Sequence, residues 1–459
     1  MNAMFVKRLL FYTVISSFVV SGCMNARTDT VWPERRLLGN EFSTFQPPRK
    51  PIATGQRTPE IVEPNGIITL RQALNLALMH NPGLKAFSWE VRASEARTLQ
   101  ASLWSNPEVG VEVEEVGGTD GRSGFDGAET TLQLGHLIEL AGKPAKRKRV
   151  ASLESELAAW DYEAKRLDVL TEVTFAFVQV LGTQKRLALA EELVQLSEGI
   201  LDTVNRRVDA GKDSPVEKTK AQVALATARI EQKQVQRRLV SARRRLAATW
   251  NSTSPVFKEV AGQLDATSPI PPETDLTQFL NQNPDLARWA VEMEKRRSIL
   301  ELEKANAIPD PTIFGGMQHF NEVDDTAMVF GLSIPVPVSN RNQGRILEAK
   351  YNLVNAENQR EAIKANVYAN MATAYEALSS AFIEVTDLKN EVLPGAQSSF
   401  DAAMQGYRGG KFDYLMVLDA QRTLFQTRAR YIESLVAYHI ARAGVERLIG
   451  QSLPTHKTD

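Results

Sequence analysis

The chain has 459 residues, with 54 Lys plus Arg against 55 Asp plus Glu and a formal net charge of −1. That balance points to neither nucleic acid nor a strongly acidic partner. Hydrophobic residues make up 43%, too few for a helical membrane protein.

Lys7 and Arg8 precede a short apolar run, Leu9 to Val20, which is too short to span a bilayer. Val20-Ser21-Gly22-Cys23 follows and resembles a bacterial lipobox; Cys23 is the only cysteine. Residues 1–22 therefore read as a signal peptide, and Cys23 as the site of a thioether to diacylglycerol and of acylation at the new amino terminus. Met24 stands where an Asp would favour inner-membrane retention, so outer-membrane sorting is expected. Residues 23–66, with Pro47, Pro48, Pro51, Pro59 and Pro64, read as a lipidated, extended strap.

The first repeat is placed at 67–256. Thr69 reads as an N-cap before Leu70, Ala73, Leu74 and Ala77, in a helix that stops at Asn81-Pro82. A second helix runs from Pro82 to Ser105 and ends at Asn106-Pro107. Two strands follow, about 108–117 and 129–140, separated by the glycine-rich stretch Gly117 to Gly124. Val109, Val111, Val113, Leu132, Leu134, Ile138 and Leu140 alternate with Gly110, Glu112, Glu114, Gln133, Gly135 and Glu139, one apolar face and one polar. A very long helix then extends from Pro144 to Arg206, with Val150, Leu153, Leu157, Trp160, Ala164 and Leu167 at coiled-coil spacing. At 1.5 Å per residue it would reach roughly 90 Å. A tight turn at Gly211 leads into a returning helix from Pro215 to Trp250.

After a linker at 257–273 the plan recurs over 274–450, followed by a tail at 451–459. Asn283-Pro284 and Pro309 repeat Asn81-Pro82 and Pro107 at one common offset. Strands are expected at about 311–320 and 327–337, the second showing Met328, Phe330, Leu332, Ile334 and Val336 against Val329, Gly331 and Ser333. Pro335 and Pro337 end it. Helices from Gln343 to Tyr407 and from Phe412 to Leu448 flank a turn at Gly409-Gly410-Lys411, which repeats Ala210-Gly211-Lys212.

Four strands with one apolar face suit the wall of a membrane β-barrel, but they are too few to close one. Two, three or four copies would supply about 8, 12 or 16 strands. The competing reading is a small soluble sheet capping a coiled coil.

The duplicated helix–strand–strand–helix–turn–helix plan resembles the TolC-like outer-membrane efflux channels over roughly residues 67 to 450. Ile138-Glu139-Leu140-Ala141-Gly142-Lys143 and the run from Pro335 to Gly344 are most similar to the heavy-metal, CzcC/CusC-type branch. The resemblance implies a mostly α fold with a membrane β-barrel: a homotrimer joining a 12-stranded barrel to a long α-helical periplasmic barrel. It also implies an outer-membrane lipoprotein that docks through a periplasmic adaptor to an inner-membrane RND pump and passes heavy-metal cations outward. It places Gly211, Lys212, Gly409, Gly410 and Lys411 at the periplasmic tips that meet the adaptor. It marks Glu217, Tyr407, Asp413 and Asp419 as gate candidates, with Asp413 standing in for an acidic residue where this chain has Met416.

Nothing in the chain suggests an enzyme. Gly142-Lys143-Pro144 lacks the glycine spacing and hydroxyl of a P-loop. His80, His136, His319, His439 and His456 show no metal-ligand spacing, so no metal site and no cofactor beyond the lipid are expected; His136 and His319 could line a barrel. Lys146-Arg147-Lys148-Arg149 reads as a membrane-surface or solvated helix face rather than a nucleic-acid patch. Drug efflux or type I protein secretion remains the alternative within the duct class, and a structural coiled-coil lipoprotein the alternative outside it.

Overall fold

The computed structural model describes residues 32, 35–48 and 62–453. Cys23, the segment before it and much of the proline-rich strap lie outside the described residues. In chain order the first copy holds β1 (Gly66–Thr69), α1 (Leu70–His80), α2 (Pro82–Ala101), β2 (Glu108–Glu114), β3 (Glu129–Leu137), α3 (Lys143–Asp209) and α4 (Pro215–Ala248). The second holds β4 (Phe257–Ala261), α5 (Glu273–Thr277), α6 (Pro284–Asn306), β5 (Thr312–Phe320), β6 (Asp325–Ser333), α7 (Gln343–Asp387), α8 (Leu393–Arg408) and α9 (Tyr414–Ile449). The chain divides into two compact units, one drawn from residues 93–155 and 297–349, the other from residues 33–92, 156–296 and the chain from 350 onward.

The duplication is written in side-chain chemistry. Thr69 caps α1 in a reciprocal box with Gln72. Asn81 then does two things. Its Oδ1 accepts from Leu84 N–H at 2.9 Å, starting α2, and its Nδ2 donates to the Thr249 carbonyl at 2.8 Å, where α4 ends. In the second copy Asn283 Oδ1 accepts from Asp285 N–H at 2.8 Å, and Nδ2 donates to the Leu448 carbonyl at 2.8 Å. Each Asn-Pro thus starts one helix and satisfies a free carbonyl at the end of its copy's last helix.

The first unit contains a four-stranded antiparallel sheet in the order β2-β3-β5-β6. The central pair joins the two copies, from Glu129↔Phe320 to Leu137↔Thr312. Register places Val109, Val111, Val113, Leu132, Leu134, Ile313, Met317, Met328, Phe330 and Leu332 on one face. Glu108, Glu112, Glu114, Glu129, Gln133 and Gln318 share the other. Two glycines admit aromatic rings directly across β5–β6. Phe330 lies over Gly315 on the apolar face, and a Cβ at Gly331 would sit 2.1 Å from the Phe314 ring on the polar face. The strands stop earlier than the alternation suggests. β3 ends at Leu137 and β6 at Ser333, before Pro335, so Glu139 is not part of the polar sheet face and pairs with Arg147 instead.

The second unit is mostly helical. α3 is one unbroken helix of 67 residues. The helix expected from Gln343 to Tyr407 is interrupted by a π turn at Leu388–Val392, ahead of Pro394. Proline has no N–H to give the preceding turn and its ring crowds a carbonyl, so the helix widens for one turn there. The stretch read as linker contains β4, which pairs in parallel with β1. The described part of the strap is fastened by a buried ion pair, Glu163–Arg166 at 2.7 Å, whose side chains are 0% exposed. Glu163 accepts from Arg36 N–H at 2.7 Å, and Arg166 donates to the carbonyls of Gly39 and Arg36. Gly39 has φ +65°, and a Cβ there would meet Leu170 at 2.7 Å. No helix among the described residues is long and apolar enough to cross a membrane.

Candidate functional site

The two helix turns share one backbone design. In the first, Lys212 N–H donates to the Arg207 carbonyl at 2.8 Å and Gly211 N–H to that of Val208 at 2.9 Å. In the second, Lys411 N–H donates to Gly406 at 2.8 Å and Gly410 N–H to Tyr407 at 3.0 Å. Both are Schellman closures with a left-handed residue, Gly211 at φ +68° and Gly410 at φ +72°. Gly409 has φ −79°, so backbone conformation does not require glycine there. Each turn then restarts a helix with a cap: Ser214 Oγ accepts from Val216 N–H and Asp413 Oδ1 from Met416 N–H.

The side chains at the turns differ. Tyr407 is buried and donates from its hydroxyl to Asp213 Oδ2 at 2.6 Å. Arg207 grips the same carboxylate with two hydrogen bonds, Nε at 2.7 Å and Nη2 at 2.8 Å, and its guanidinium lies 4.6 Å from the Tyr407 ring centroid. Tyr414 packs beside Tyr407, with ring centroids 6.2 Å apart. These contacts crown an apolar cluster that includes Val204, Phe400, Val417 and Leu424. The Arg207 guanidinium holds the Asp213 carboxyl below its usual range, and burial beside that carboxylate pushes the Tyr407 hydroxyl up. Glu217 is raised, by burial first and then by Asp213 and Asp413.

Of the gate candidates, Tyr407 and Glu217 therefore meet in one cluster. Asp413 is exposed and spends its side chain on capping α9. Asp419 stands exposed on α9 and joins nothing in the cluster. Lys212 and Lys411 are exposed at the turns. Sequence reasoning missed Asp213 and Arg207. It also missed Gly406, where a Cβ would lie 2.2 Å from the Phe412 ring. The Ser214-Pro215 pair was the available signal, because it marks a helix start and so fixes Asp213 in the turn.

The sheet supplies the second functional surface. Glu114 stands directly opposite Glu129, which accepts from Gln318 Nε2 at 2.7 Å. His136 and His319 do not belong to this polar face, contrary to the expectation that they line a barrel. Register pairs His136 with Ile313, and His319 with Thr130 and Thr326, all on the apolar face near its two ends. Parity decides this, since one residue's offset reverses a side chain.

A duplicated chain whose sheet is apolar on one side and acidic on the other, with helix pairs closing on twin turns, defines a channel-type protein. The sequence profile described as outer membrane efflux protein matches residues 73–252 and 276–451, and the chain belongs to that family of outer-membrane efflux channels. The cobalt-zinc-cadmium resistance protein CzcC of Cupriavidus metallidurans is 35% identical, covering 85% of this chain and 91% of its own. The nickel-cobalt-cadmium resistance protein NccC of Alcaligenes xylosoxydans xylosoxydans is 22% identical, covering 72% of this chain and 73% of its own. The crystal structure of CusC superposes with a TM-score of 0.73 at 18% identity, covering 83% of this chain and 92% of that one.

Proposed function

We propose that this chain is the outer-membrane duct of a tripartite efflux system that exports heavy-metal cations. Three copies would close one 12-stranded barrel, and a periplasmic adaptor would couple the duct to an inner-membrane RND pump. The observation that carries the reading is the sheet. It leaves β2 and β6 as edges and turns Val109, Val111, Met328, Phe330 and Leu332 outward, all more than 40% exposed. Such a sheet is tolerated in lipid only when its edges pair with other copies. The long likeness to CzcC supports divalent metal cations as cargo, and the acidic face suits their passage. Cys23 is proposed as the lipid anchor, and the twin turns as the adaptor-facing end. In this reading the Tyr407–Asp213–Arg207 cluster, with Glu217, holds that end narrow.

The test is complementation. A bacterium made sensitive to cobalt, zinc and cadmium by deleting this gene should regain resistance with the intact gene. Restored tolerance to dyes or detergents without tolerance to metals would instead favour a drug duct.

A further inference from the structure

α4 is apolar on two faces, and only one of them is covered. Leu225, Ala228, Val235 and Leu239 are buried. On the other side Val216, Val223 and Ile230 recur every seven residues, each more than half exposed. The same spacing continues as Arg237 and Arg244, with Lys233 three residues after Ile230. These three cations are exposed and make no ion pair among the described residues. A seven-residue period marks a seam between packed helices, and among the described residues nothing packs on this one.

A complementary surface lies elsewhere on the same chain. Around the π turn, Ile383 and Val392 are exposed at a groove of about 540 Å³. Asp387 borders the groove and Glu391 is its near neighbour in the turn. Both are exposed and make no ion pair among the described residues, and Lys389 is the only cation of the turn. Glu384, also at the groove, is already paired with Arg430 at 2.6 Å. The heights match as well. The Tyr407–Asp213 hydrogen bond holds the two helix turns level. Measured up α4 from Pro215 and back along α8 from Arg408, Ile230 is level with Val392, Lys233 with Glu391 and Arg237 with Asp387, to within one residue. Apolar thus meets apolar and cation meets carboxylate.

We infer that α4 of one copy packs against the α7–π turn–α8 ridge of the next, with Ile230 on Val392 and with Lys233 and Arg237 facing Glu391 and Asp387. The inference rests on the three-copy reading proposed above and adds which surfaces meet. Both surfaces are exposed in one copy, so neither covers the other within it. Two α4 seams brought together would set cations against cations, and two ridges carboxylates against carboxylates. Like charge rejects both self-pairings and leaves the head-to-tail contact, the kind that can close into a ring.

Crosslinking of the full chain tests this. Ile230→Cys and Val392→Cys are placed on two differently tagged copies, expressed together and treated with a short bismaleimide in mild detergent. The expected product is a dimer carrying both tags, absent when either variant is paired with the unaltered chain. Lys233→Glu with Arg237→Glu, introduced in both copies, should lower its yield about tenfold, because like charges then face each other. Adding Asp387→Lys with Glu391→Lys should restore it. Three copies per particle by native mass spectrometry without the crosslink overturn the inference alone. One copy per particle overturns the three-copy reading along with it. A dimer formed through Ile230→Cys on both copies overturns the head-to-tail contact, and charge reversal without effect overturns the pairing. Crosslinking of Ile230→Cys in cells to a periplasmic adaptor, and not to this chain, overturns it in favour of that occupant.

Discussion

Asp213 and Glu217 sit close together and are shifted in opposite directions, which gives the turn cluster a window of pH. Asp213 is depressed, so what it contributes is present above the ordinary carboxylate range and is lost as pH falls through its lowered value. Glu217 is raised, so what it contributes is present at low pH and is lost as pH rises through its raised value. The cluster is therefore held most firmly between the two. Single-channel recording in bilayers should show the smallest conductance in that interval, with Glu217→Gln keeping the conductance low at higher pH. Unchanged pH dependence in Glu217→Gln would remove Glu217 from the gate. Tyr407→Phe deletes one hydrogen bond to a charged acceptor, about 1.5–3 kcal/mol at this class of contact. It should raise conductance at every pH. Asp419→Asn should change little, because Asp419 lies apart from the cluster.

At the scale of elements, the sheet makes a sharp comparison. Leu132→Arg places a charge in the middle of the apolar face and should cost about 2–4 kcal/mol near the bilayer midplane, reducing the inserted fraction on a urea-washed membrane blot. Glu112→Arg, one face over, should insert normally. Both faces were legible in the sequence, because a period of two leaves little choice once Val109 or Leu134 is fixed. The Asn-Pro starts and the glycine turns were legible for the same local reason. The Tyr407–Asp213 contact was not, because it joins residues nearly a whole repeat apart and no local pattern encodes such a pairing. The π turn was overlooked although Pro394 announces it, since the apolar spacing continues through it. β1 and β4 were missed because five residues or fewer carry too little alternation to read.

Across the whole molecule, the strap is tied down by charges that water never reaches. Arg166→Ala leaves Glu163 buried without its partner and should destabilise the helical unit by about 3–5 kcal/mol, measured as a lowered midpoint in thermal melting. Three copies per particle by native mass spectrometry in mild detergent would agree with a sheet whose two edges both need partners. The β3–β5 pairing has a further consequence, for the order of biogenesis. Glu129 cannot meet Phe320 until the rest of the first copy and the opening part of the second have been made. The β2–β3 hairpin must wait through that interval with an open edge and an apolar face, the kind of surface that aggregates. Contacts so distant along the chain also form slowly. This protein is thus a prime client for whatever escorts unfolded chains across the periplasm, and its first half alone should need that escort most.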